Sequence, residues 1–135
     1  MGTDITLFVE VKTKNGWELY HSPDIGRYYD MFSKMAGIRG WEDPITHVKG
    51  MPSNLSLIVN EAYKEDTEHP YSCVHEESWL NAEEILELSN WLAENDLDLE
   101  EDILKCSLLG ESFAPFDQDR FEFINDVRFV FWFDS

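Results

Sequence analysis

Cations are scarce in this chain: ten lysines and arginines stand against 28 aspartates and glutamates, for a formal net charge of −18. So few bases cannot form the basic stripe that nucleic acid requires, and no reader motif is present. Direct DNA or RNA binding is not expected. Long apolar runs are also lacking, and nothing approaches the roughly 18 residues of a membrane span. The opening MGTDI has neither the basic start nor the apolar core of a signal peptide. Its match to a myristoylation pattern is discounted because the segment reads as a strand. Cysteine is limited to Cys73 and Cys106. With no mark of secretion, both are expected as reduced thiols in the cytoplasm, where the N-L-S sequon at 54–56 has no meaning.

The usual signatures of catalysis are missing too. There is no GxGxxG, P-loop, GxSxG or CxxC, and the HEESW at 75–79 has Trp79 where a zinc-binding helix needs its second histidine. His21, His47, His69 and His75 are scattered. No cofactor or metal is expected, and the chain reads as a binding protein rather than an enzyme.

What is present is a foldable domain. With 43% hydrophobic and 14% aromatic residues in 135 positions, residues 1–135 form one unit with a sizeable core. Ile5, Leu7, Val9 and Val11 alternate as in a half-buried strand. KNG at 14–16 marks a tight turn, with residues 17–20 as the hairpin partner. Residues 27–36 read as a helix burying Tyr28, Phe32 and Met35 and stopped by Gly37. Ser56 caps a short helix through Tyr63. Asn81 with Glu84 three residues on is a capping box, opening a helix to Glu94 with Leu80 and Ile85 placed as a staple. A further helix is expected from Asp98 to Leu109. The closing residues 121–133 read as two strands or one bent strand, and the last stretch, apolar on both faces, as a central one. Strands at both ends with three to four helices between give an α+β fold, an antiparallel sheet covered on one side.

The acids are unevenly placed. Residues 61–102 hold fifteen acids against the single base Lys64, whereas the rest of the chain is nearly neutral. A solvated helix face accounts for such a run, and Glu83 and Glu84 in a first helical turn also suit the helix dipole. A calcium loop beginning at Asp96 fails: Leu97 and Leu99 interrupt it, the sixth position has no glycine, and the twelfth is Ser107. The third reading is nucleic-acid mimicry. Carboxylates three and four apart on a helix lie about 5–6 Å from one another, a density comparable to that of phosphates on a strand. Self-repulsion opposes such a surface, so function is its natural reason. The mimicking face comprises Glu83, Glu84, Glu87, Glu94, Asp96, Asp98, Glu100, Glu101 and Asp102. A different reading places Asp4, Arg27, Asp30, Arg39, His75 and Trp79 around a pocket for a small anionic, nucleotide-like ligand. Against it, Arg27 and Asp30 are spaced to pair with each other on a helix.

Several segments occur together in order: GTDITLFVE at 2–10, RYYDMFSKMAGIR at 27–39, KGMP at 49–52, HEESWL at 75–80 and DVRFVFWFD at 126–134. In this the chain resembles a group of small phage and prophage proteins that open MGCDIH and continue with RNYDLFA, a GLP turn, HSHSWL and a closing VRxVFxFD. The resemblance runs nearly end to end and implies a phage origin, without bringing an activity. Where that group carries cysteine and histidines that suggest a metal or proton-handling site, this chain has Thr3, Thr6 and Glu77. Only Asp4 and His75 remain. The expected role is inhibition, in the host cytoplasm, of a nucleic-acid-handling or defence protein with a basic groove.

Overall fold

The computed structural model describes residues 2–95 and 127–135. Four strands and three helices lie in them: β1 (Asp4–Thr13), β2 (Gly16–His21), α1 (Tyr29–Ala36), α2 (Leu57–Glu68), β3 (Val74–Asn81), α3 (Ala82–Glu94) and β4 (Val127–Asp134), with a short 3₁₀ turn at Ile38–Gly40. All pairings are antiparallel, in the order β2-β1-β4-β3. The fold is α+β, with the first and last strands side by side at its centre.

β4 is buried along Val127–Phe133, as a central strand apolar on both faces must be. Its alternation divides the core. Val127, Phe129, Phe131 and Phe133 join Leu7, Val9 and Val11 of β1, together with Phe32 and Met35 of α1 and Ile85, Leu88 and Leu92 of α3. Val130 and Trp132 face the other way and pack with Phe8 and with Val59 of α2. The expectation of a sheet covered on one side is therefore corrected: α1 and α3 cover one face and α2 the other. A helix's apolar stripe says that it packs on a sheet, not on which face.

Local signals hold where they are read. Gly37 ends α1 in the left-handed region, at φ 75°, with its amide donating to the Ser33 carbonyl. Ser56 caps α2 by accepting from the Val59 amide, although α2 continues past Tyr63 to Glu68. Asn81 and Glu84 form the reciprocal capping box of α3. α1 begins at Tyr29, so Arg27 lies outside it. β3, unexpected from the sequence, carries a bulge after His75, where Glu76 takes φ 53°. The helix expected at 98–109 and the first part, 121–126, of the stretch expected as two strands or one bent strand over 121–133 lie outside the described residues.

Candidate partner-binding face

α3 holds itself to the sheet through Ile85, Leu88 and Leu92, all buried. That anchoring fixes which way its acids point. Glu83, Glu87 and Glu94 are exposed, and at 3.6 residues per turn they fall within about 40° of one another, along about 16 Å of axis. None of the three has an ion pair among the described residues, and α3 contains no lysine or arginine. Glu84 behaves differently. Its Oε1 meets Lys49 Nζ at 2.5 Å and accepts from the Asn81 amide, with both side chains mostly buried. Lys49 also lies over the Trp79 ring. Glu84 is thus occupied in holding the start of α3 to the 49–50 loop. Asp96, Asp98, Glu100, Glu101 and Asp102 lie outside the described residues.

The described part of the acid-rich segment, residues 61–95, is not one surface. Glu61, Glu65 and Glu68 are exposed on α2, which packs on the opposite face of the sheet from α3. Asp66 accepts from Trp132 Nε1 at 2.8 Å, and Glu77 accepts from the Tyr63 hydroxyl at 2.5 Å. Burial, with the Glu77 carboxylate beside it, pushes the Tyr63 phenol up to about 12.

Of the residues expected around a small-ligand pocket, four gather near one end of the sheet. Arg27 pairs with Asp4 rather than Asp30, Nε to Oδ1 at 2.8 Å and Nη2 to Oδ2 at 3.3 Å. The pair holds the Asp4 carboxyl below, and the Arg27 guanidinium above, its ordinary range. Arg39 stacks on the Tyr29 ring at 4.7 Å. The Thr3 amide donates to the Tyr29 hydroxyl, and with Arg39 and Arg27 nearby this lowers the phenol's pKa. His75 Nε2 lies 2.7 Å from Ser135 Oγ, which in turn lies 2.9 Å from Thr3 Oγ1. Asp30 is exposed in the first turn of α1. Trp79 packs on the α2 side and does not join them. Thr3, Asp4 and His75 therefore share one end of the sheet, while Glu77 is turned to Tyr63. Among the described residues no three His, Cys, Asp or Glu side chains converge as a metal site would need.

A feature not anticipated from sequence lies between β2 and the start of α2: an open groove of about 830 Å³ lined by Trp17, Leu19, Leu55, Leu57 and Ile58, among others. Its sequence signal is a capped first helical turn that carries two aliphatics and no acid. No protein-family model, curated protein or solved structure matches the chain. No helix among the described residues is long and apolar enough to cross a membrane.

Proposed function

We propose that this is a phage-type acidic binding protein that inhibits a host nucleic-acid-handling or defence protein by occupying its basic groove in place of nucleic acid. The observation that supports this reading is the stripe of Glu83, Glu87 and Glu94, exposed and without ion pairs among the described residues, on a helix free of bases. Like charges four apart destabilise a helix, and Glu94 sits at the C-terminal end, where the dipole disfavours an anion. A helix selected only to cover the sheet has no need of that arrangement. A folded carboxylate stripe would offer a basic groove charge contacts in place of phosphates, screened by salt in the same sense, without bending or unstacking a duplex. The acids at 96–102 continue the same charge along the chain.

The test is affinity capture from bacterial lysate, followed by binding of the captured protein at stepped ionic strength and in competition with duplex DNA and with RNA. The expected result is a nucleic-acid-binding protein whose affinity falls steeply with salt, which nucleic acid displaces, and which no longer binds a Glu83→Lys/Glu87→Lys/Glu94→Lys variant. Binding indifferent to the three reversals, or uncompeted by nucleic acid, would overturn the proposal.

A further inference from the structure

The first turn of α2 is anomalous for this chain. Acids there would be favoured by the helix dipole, and α3 duly carries Glu83 and Glu84 in its own first turn. α2 carries none. Its first turn instead presents Leu57 and Ile58, 75% and 61% exposed, at the mouth of the groove against β2. Scattered exposed aliphatics mean little, but two adjoining ones on the wall of a groove that Trp17, Leu19 and Leu55 also line form a patch.

The groove's floor is held rigidly. Trp17 lies under the Arg128 guanidinium at 4.0 Å. Arg128 is buried against Glu10, and the same Glu10 carboxylate accepts the Ser56 amide that begins α2. Beyond the groove, along about 10 Å of helix, the exposed stripe of α2 continues as Glu61, Lys64, Glu65 and Glu68. The surface thus joins a groove with an aliphatic and aromatic wall, lined also by Lys12, Glu18 and Asn54, to a mainly acidic stripe.

We propose that this groove and stripe form a docking site for a cationic segment of a partner protein. Apolar side chains of the segment seat against Trp17, Leu19, Leu57 and Ile58. Its lysines or arginines run along Glu61, Glu65 and Glu68. A second copy of this chain is opposed by charge, since each carries −18. Lys12 lines the groove opposite Trp17 at the hairpin end, which directs the occupant's bases away from that end and along α2. The site is separate from the α3 stripe, on the other face of the sheet, so the two proposals fail independently.

The test is selection from a displayed library of random short peptides against the whole chain, with the enriched peptides then titrated by fluorescence. Enrichment of peptides combining lysine or arginine with spaced apolar residues is expected. Their affinity should fall about tenfold or more in a Leu57→Ser/Ile58→Ser variant. It should fall severalfold in a Glu61→Gln/Glu65→Gln/Glu68→Gln variant, and remain unchanged in the α3 triple variant. These side chains are exposed, so the variants fold, and circular dichroism checks that they do. Selection of acidic peptides, no enrichment, peptides indifferent to Leu57 and Ile58, or self-association abolished by the same double change would each overturn the proposal.

Discussion

Glu10 and Arg128 stand directly opposite each other on β1 and β4, and their side chains meet inside the α2 face of the sheet. Arg128 Nε donates to Glu10 Oε1 at 2.7 Å, its Nη1 donates to Asn54 Oδ1 at 2.9 Å, and Glu10 Oε2 accepts the Ser56 amide at 2.7 Å. Burial pulls the Arg128 guanidinium below its ordinary pKa and Glu10 opposes the shift. One carboxylate therefore joins the two central strands to the loop that starts α2.

Removing one partner leaves the other charge buried. Arg128→Met is expected to cost about 3–5 kcal/mol. Replacing both, as Glu10→Leu/Arg128→Met, should recover the part due to the unpaired charge and leave a deficit of about 1–3 kcal/mol, because the buried Ser56 amide then has no acceptor. Urea denaturation of the two variants checks this. A double variant as unstable as the single one would show that the pair itself is indispensable.

This network was out of reach of sequence reasoning, whereas the strands it joins were not. Alternation in β1, two-faced apolarity in β4 and the Asn81–Glu84 box are local signals, and each produced the expected element. Glu10, by the same alternation, reads as facing water. Its partner lies 118 residues away. β3 was hidden for a related reason: its bulge at Glu76 breaks the alternation, and Glu77 is made acceptable by Tyr63, a tertiary contact. Most of the mimicry residues read from sequence lie on 96–102, and of the others Glu84 is committed to Lys49. The acids are contiguous in the chain, but among the described residues α2 and α3 carry theirs to opposite faces of the sheet.

Gly37 offers a test of the two-turn helix α1. At φ 75° an added Cβ meets only Pro44 Cγ, at 3.9 Å, so the penalty of Gly37→Ala comes from the backbone conformation alone. A loss of about 1–2 kcal/mol is expected, read as a lower urea midpoint with an unchanged slope. A changed slope would point instead to disruption of the fold.

Tyr63 gives stability a dependence on alkaline pH. Its phenol is raised to about 12 from an ordinary value of 10, so the fold favours the neutral form. The contribution is fully present below pH 10 and is lost as pH rises through about 12. Tyr63→Phe should flatten the loss of stability across that window while lowering stability at neutral pH, because Glu77 loses its donor. Absorbance titration of the tyrosines alongside urea melts from pH 9 to 12 reads both effects. Equal pH dependence in the variant would assign the transition to another group.

The α3 carboxylates separate fold from binding. Glu87 repels Glu83 four residues away, and Glu94 opposes the helix dipole, so Glu87→Gln/Glu94→Gln should stabilise the protein by about 0.5–1 kcal/mol. Glu84→Ala should do the reverse: it removes the acceptor of both Lys49 and the Asn81 amide, at about 1–3 kcal/mol. Thermal melts at low salt measure both, and added salt should shrink the first effect because the repulsion between exposed acids is screened. If mimicry is the function, the stabilised variant is also the weaker inhibitor of the captured partner. A variant that gains stability and keeps full inhibition would leave Glu87 and Glu94 as ordinary solvated charges.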